Sequence, residues 1–374
     1  RKIENEKARG PAGGDRQRLA IQPVNDQGPV GDSGQRNARV KIVGRGVQAQ
    51  VLSRRQGLRE LHNSAEAHRV AFSSGHEAAD IDNLVRRIDG RHEEGFEIVE
   101  AGNRRAIERA RAAGLPALVA TFDPHPVRFF RPEAEPFRLT SLNQRQRLFA
   151  EAGADAMIVF PFNAALASLT AEEFVTQRLA GVGGVVTGED FTFGKGRGGN
   201  VSVLGELGRK YGFIAEAVAP VSDSVDVISS SRIREALQAG DCATATQLLT
   251  RPFAVEGIVQ HGDKNGRELG YPTANVDMGT YLRPRYGIYA VRGRLADGRI
   301  LDGAASIGIR PQFEPPKELL EPHFFDFSGD LYGQTIEIAF HAFLRDEAKF
   351  ENLDALTRQI GLDCDQAREV LAQL

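Results

Sequence analysis

The chain has 374 residues, 47 basic and 50 acidic side chains and a formal net charge of −3, a length that implies two or three domains. With so little net field, nucleic acid and anionic membrane surfaces are not expected as partners, and chemistry on small molecules is. The two cysteines, Cys242 and Cys364, are far apart and lack metal-type spacing, which argues against a disulfide framework or a zinc site and fits a reducing cytoplasm. No apolar run approaches the ~20 residues of a membrane helix, and the N-terminus lacks a signal-peptide core.

Residues 1–100 differ from the rest. Of the 27 aromatic residues only Phe72 and Phe96 fall there, and Arg, Gly and Gln are scattered without helical or strand periodicity, a poor composition for a core. The segment reads as a disordered extension or as a GC-rich gene translated in a wrong frame, and neither reading gives it catalysis. The echoes SSGH (73–76) and DGRH (89–92) receive no role.

From about residue 104 the pattern alternates between amphipathic stretches and short apolar runs: RRAIERARAAG, LPALVATFD, SLNQRQRLFAEAG, DAMIVFPF, TAEEFVTQRLAG, GGVVTGEDFTFG. Helix then strand, repeated, predicts a parallel α/β sheet. It continues to the helix SRIREALQAG, where Gly240 stands at the C-terminal cap, and the layer is expected to end near residue 245. After about residue 251 the rhythm becomes β, with ADGR as a hairpin turn between two runs. Strands at this spacing predict a small closed barrel, since closure removes exposed edges. The tail places Leu353, Leu356 and Ile360 at helical intervals and is expected to pack a helix on that barrel.

The barrel region carries the first chemical signals. HGDKNGRELGYPTAN (261–275) sets Gly262, Gly266 and Gly270 among polar residues; such a loop can cradle phosphates through its backbone amides or can be an ordinary hairpin connection. In PTAN the side chains of Thr273 and Asn275 project to one face of an extended segment. Their oxygens suit Mg²⁺, which takes few protein ligands alongside water and substrate phosphates, although the pair can equally hydrogen-bond a turn. Glu321, in EPHFFDF, can accept a hydroxyl proton during phosphoryl transfer or be a strand-end carboxylate, and Asp326 and Asp330 could serve as well.

PFAVEGIVQHGDKNGRELGYPTANV, with YGIYAV, SIGIRPQF, EPHFFDFSGDLYG and FLRDEAKFENLDALTRQI, resembles the riboflavin kinase module of bacterial bifunctional riboflavin kinase/FAD synthetase over nearly all of residues 250–361. The resemblance implies a six-stranded barrel in which Thr273 and Asn275 hold Mg²⁺ with ATP, the loop bearing Gly262, Lys264, Gly266 and Gly270 covers the phosphates, and Glu321 is the base for the ribityl 5′-hydroxyl. Gln312, where the pattern more often has Thr, puts a local contact in doubt.

The α/β part resembles the FMN adenylyltransferase module of the same family, with TFDPHP (121–126), GEDFTFGKGRGG (188–199) and ISSSRIR (228–234) in order. Serines at a helix N-terminus with two arginines form an anion site from amides, hydroxyls and fixed charge. The resemblance implies nucleotide contacts from His125, Asp190, Ser230, Ser231, Arg232 and Arg234; His125 can alternatively pack between its flanking prolines.

One departure matters. The family's first strand ends in GxFDGxHxGH, whose histidines hold the ATP phosphates, and that motif is absent here. Its loss should cost orders of magnitude in a reaction that relies on positioning and charge. The sheet could also lack its central strand, for which FEIVEA (96–101) could substitute. The reading is a Rossmann-like nucleotidyltransferase α/β domain (101–248) followed by a small six-stranded β-barrel kinase domain with a C-terminal helix (249–374). Mg²⁺ and ATP are implied, with riboflavin and FMN as substrates and FMN and FAD as products. The alternative is a monofunctional riboflavin kinase with a degenerate α/β domain.

Overall fold

The structure, a computed structural model, describes residues 96–224, 226–261, 266, 269–310 and 317–374 and four earlier strands, with side chains from Arg104 onward. The strands are β1 (Ala20–Pro23), β2 (Val40–Val43), β3 (Gln48–Val51) and β4 (Val85–Ile88); β1 and β2 pair as a separate antiparallel ribbon.

Helix α1 (Phe96–Ala112) is followed by β5 (Ala117–Asp123), α2 (Pro126–Phe130), α3 (Leu142–Glu151) and β6 (Ala156–Pro161). Then come α4 (Ala164–Ala167), α5 (Ala171–Arg178), β7 (Gly184–Gly188), α6 (Val201–Tyr211) and β8 (Ile214–Val218). The sheet runs β3-β6-β5-β4-β7-β8, parallel apart from the antiparallel edge strand β3. Apolar strands covered on both faces are what a parallel sheet requires, and Ala120, Phe122, Ile158, Phe160 and Val185 are buried with Phe174, Phe191 and Phe193.

FEIVEA is corrected by this topology. It forms the start of α1, because Glu, Ala and Arg continue from it through residue 112 without a breaker stronger than Gly102. The place between β5 and β7 belongs to Val85–Ile88, which pairs in parallel with both. The sheet therefore takes two strands from the first hundred residues, and the boundary expected at residue 101 falls inside a helix.

Helix α7 (Ser230–Ala239) ends at Gly240, whose φ of 82° is the left-handed conformation that glycine adopts without strain. Helix α8 (Cys242–Leu249) leads into the barrel. Its strands are β9 (Phe253–Gln260), β10 (Asn275–Val276), β11 (Gly287–Leu295), β12 (Ile300–Arg310), β13 (Lys317–Phe324) and β14 (Thr335–Arg345). They close in the order β10-β13-β12-β11-β14-β9, and Asp297 turns the β11–β12 hairpin by accepting from Arg299 N at 3.0 Å.

The last helix, α9 (Leu353–Leu371), lies on the outside of the barrel. Leu353, expected in its packed face, is 66% exposed; the contact is made instead by Ile360, Cys364, Ala367 and Leu371 against Ala290, Ala304 and Phe325. Arg345 clamps the helix through two bonds to the buried Asp363, 2.8 and 2.6 Å.

Leu139, Ile233, Leu237, Leu248 and Leu249 share one apolar core with the barrel interior. Gln144 of α3 adds polar ties, donating to Ala254 O at 3.0 Å and accepting from the Tyr281 hydroxyl at 2.7 Å.

Candidate functional sites in the sheet and the barrel

In the sheet, β4 is central: the chain runs from it outward through β5 to β6 and then crosses back to β7 on its other side. Ligands in open α/β sheets bind beyond the carboxyl ends of the strands at such a switch point. TFDPHP stands at the end of β5 and GEDFTFG at the end of β7.

His125 caps α2, its Nδ1 accepting from Val127 N at 3.2 Å. Burial, and then the charges of Arg145, Arg234 and Arg138, push the imidazole down to about 4. Arg234 comes from the other end of the domain to meet it: Nε donates to Phe137 O at 2.9 Å and a terminal nitrogen to Ser230 Oγ at 3.1 Å. The Phe137 ring lies between them, 5.1 Å from the imidazole and 5.2 Å from the guanidinium. Arg138 pairs with Asp123, and Arg145, 2% exposed, donates to Thr140 and Thr121 hydroxyls at 3.1 Å. Arg234 beside the imidazole, with the buried Arg145 behind it and Arg138 offset by Asp123, makes a local potential that favours an anion.

The fold brings the expected residues His125, Ser230 and Arg234 together and adds Arg138 and Arg145, which the sequence did not single out. The available signal was a run of arginines with an aromatic between TFDPHP and a capped helix. Ser231 is exposed on the first turn of α7, where Ser229 is the capping residue. Arg232 points elsewhere: it binds Asp223 at 2.8 Å and the carbonyls of Asp226 and Val227 at 3.0 Å. Asp223 also lines a cavity of about 750 Å³ beyond β8, with Arg104, Arg105, Glu216, Ser222 and Gln247. Asp190 is exposed in the turn after β7.

In the barrel, register decides the site. Val276 pairs with Val259 on one side and Leu320 on the other, and all three are buried in the interior. Side chains alternate along a strand, so the next row, Gln260, Asn275, Glu321 and Ser306, faces the other way. Ala274 N donates to Pro322 O at 2.9 Å, continuing the same register. Thr273 and His323 follow on the outer face, and His323 Nδ1 meets Pro272 O at 2.9 Å.

Gly266 closes over this patch. Tyr271 N donates to its carbonyl at 2.8 Å, and a Cβ built on it would lie 2.5 Å from Tyr271 O and 3.4 Å from Thr273 Oγ1. Gly270 has a φ of 83°. Gly262 and Lys264 lie outside the described residues. Thr273 and Glu321 are partly exposed and Asn275 is 8% exposed, and hydroxyl, carboxamide and carboxylate oxygens on one side of the strands, off the barrel interior, fit a hard cation that keeps water and phosphate ligands; among the described residues there is no cluster of three or more His, Cys, Asp or Glu suited to a metal.

Comparison with known proteins gives two family matches in tandem: FAD synthetase over residues 89–232 and riboflavin kinase over residues 249–371. Curated relatives include the bifunctional riboflavin kinase/FMN adenylyltransferases of Escherichia coli K12 and Pseudomonas fluorescens. The first is 37% identical over 281 residues, 73% of this chain and 90% of the relative. The second is 38% identical over 321 residues, 85% of this chain and 98% of the relative. A solved structure described as a macrolide-efflux protein from Streptococcus pneumoniae superposes with a TM-score of 0.66 at 29% identity, covering 76% of this chain and 94% of that one. The first family match begins at residue 89, so DGRH (89–92), given no role in the sequence reading and outside the described residues, falls within it.

Proposed function

Because the chain belongs to the bifunctional riboflavin kinase/FMN adenylyltransferase family, we propose that it converts riboflavin to FMN and FMN to FAD, spending one ATP at each step. The tandem family matches carry this reading, one on each half of the chain, and with both present a monofunctional kinase is not favoured.

The kinase reaction is assigned to the barrel. Glu321 accepts the proton of the ribityl 5′-hydroxyl as that oxygen attacks the γ-phosphate of ATP, leaving ADP. Thr273 and Asn275 are the residues that would hold Mg²⁺, and Gly262, Lys264, Gly266 and Gly270 are the residues assigned to the phosphates. Magnesium supplies positive charge to the phosphate oxygens when bound. The cross-strand placement of Asn275 beside Glu321 supports this assignment.

Adenylyl transfer is assigned to the sheet domain. The FMN phosphate attacks the α-phosphate of ATP and pyrophosphate leaves, so the protein has only to position two anions and stabilise charge. His125, Ser230 and Arg234, with Arg138 and Arg145, supply one cationic wall; Asp190, Ser231 and Arg232 complete the proposed nucleotide contacts. Within DGRH, His92 is the histidine that matches the family's DGxH, while Glu94 and Gly95 stand where the pattern has Gly and His.

No helix among the described residues is long and apolar enough to cross a membrane. Cys242 and Cys364 are buried thiols, pushed up to about 12 and about 11 chiefly by burial, and a cytoplasmic setting is proposed.

The test is chromatographic product analysis after incubation with riboflavin, ATP and Mg²⁺. FMN should appear first and FAD after it. Absence of FMN would overturn the kinase assignment, and absence of FAD from supplied FMN would overturn the adenylyltransferase assignment.

A further inference from the structure

The short strand β10 carries the proposed cation ligands on a weak scaffold. Only Asn275 and Val276 are in the ladder, and the chain on either side of the pairing is interrupted by prolines. Pro322 has no N–H to return to Ala274, so that pair keeps one bond, Ala274 N to Pro322 O at 2.9 Å. Pro272 likewise cannot donate. The Pro272 carbonyl accepts from a side chain, the imidazole of His323 at 2.9 Å. A carbonyl only accepts, so Nδ1 is the donor and carries the proton. The ring is held in place for this: it packs edge-on against Tyr271 at 5.4 Å and Phe325 at 6.0 Å. The Tyr271 hydroxyl in turn lies 3.2 Å from where a Cβ on Gly361 of α9 would stand.

We propose that His323 is a positioning residue of the kinase site: its Nδ1–H holds the Pro272 carbonyl where the two prolines have thinned the backbone ladder, and so fixes the 272–275 segment relative to Glu321. The inference rests on the assignment of Thr273, Asn275 and Glu321 to the kinase reaction. His323 touches no reacting atom. Its effect passes through Pro272 O to the hydroxyl of Thr273 and the carboxamide of Asn275, which are one and three residues further on. The same histidine is two residues from Glu321 on the outer face of β13, so one side chain ties both halves of the site together.

The experiment compares His323→Asn, whose amide nitrogen can take the place of Nδ1, with His323→Phe, which keeps the aromatic packing and removes the donor. His323→Phe should lose about tenfold in kcat/KM for ATP in FMN formation, the size of one lost hydrogen bond, mainly through KM, and His323→Asn should recover most of it. Hydrogen exchange, read on the full chain without nucleotide, gives a second measure. The amide of Ala274 should exchange about tenfold faster in His323→Phe, while amides of β11 and FMN-to-FAD conversion stay at wild-type rates. The proposal is overturned if Asn and Phe lose activity equally, if both retain it, or if Ala274 exchange is unchanged in His323→Phe. The exchange measurement needs no turnover, so its failure is distinguishable from failure of the kinase assignment.

Discussion

Asn275 and Glu321 stand side by side on antiparallel neighbours, one step from the Val276–Leu320 pair and on the face turned away from the barrel core. They are 46 positions apart in the sequence. This pairing turns a proposed cation ligand and a proposed base into one site.

The base is tested by Glu321→Gln, which keeps the shape and removes the proton acceptor. The kcat of FMN formation should fall about 10²-fold or more, with riboflavin and ATP binding, measured by titration calorimetry, nearly unchanged. Unchanged turnover would reduce Glu321 to a strand-end carboxylate.

Gly266 has no room for a side chain, because its Cβ would meet Tyr271 O at 2.5 Å. Gly266→Ala must push the loop away from Thr273, and a displacement of about 1 Å in a positioning element can cost on the order of 10²-fold. The loss should appear in kcat/KM for ATP in the kinase reaction. FAD formation from supplied FMN, in the same sample, should be unaffected.

His125 gives the protein a pH dependence. Its folded value near 4 lies below the ordinary 6.5 because burial and three arginines favour the neutral ring. Above about pH 6.5 neither state holds the proton. Between 6.5 and 4 the unfolded chain takes it up and the folded chain does not, so stability is lost as the pH drops through that window, by at most about 3 kcal/mol. Denaturant unfolding of wild type and His125→Asn at pH 7 and pH 4.5 should show a smaller pH-induced loss in the variant.

Asp363 is 4% exposed and carries both bonds from Arg345. Asp363→Leu leaves a half-buried guanidinium without that partner, at a cost of about 3 kcal/mol. The double variant with Arg345→Met should recover much of the stability, read from urea midpoints, because the uncompensated charge is gone.

The adenylyl transfer should be the slower of the two activities. DGRH followed by Glu-Glu-Gly offers one imidazole where the family pattern has two, and each lost phosphate ligand weakens charge stabilisation in the transition state. With FMN supplied, replacing 92–95 by His-x-Gly-His should raise the FAD rate, and His92→Ala should lower it. Equal rates in all three would remove this segment from the site.

What the sequence determined by itself was local. GYPTAN and ISSSRIR are legible because a few consecutive residues carry their chemistry, through alternation on an extended segment or free amides at a helix start. The barrel, the alternating α/β layer and the last helix were legible as periodicity, although the packed face of α9 shifted from Leu353 toward Cys364 and Leu371 because the position of Phe325 and the Arg345–Asp363 clamp select it. Tertiary structure decided the rest. VRRI at 85–88 has too few residues for a periodic signal, and it is a strand because β5 and β7 supply partners on both sides. His125 gathers Arg138, Arg145 and Arg234, and Glu321 reaches Asn275, only through sheet order and strand register. Those are set by which apolar rows can be buried together, a property of the whole folded chain and not of any one stretch of it.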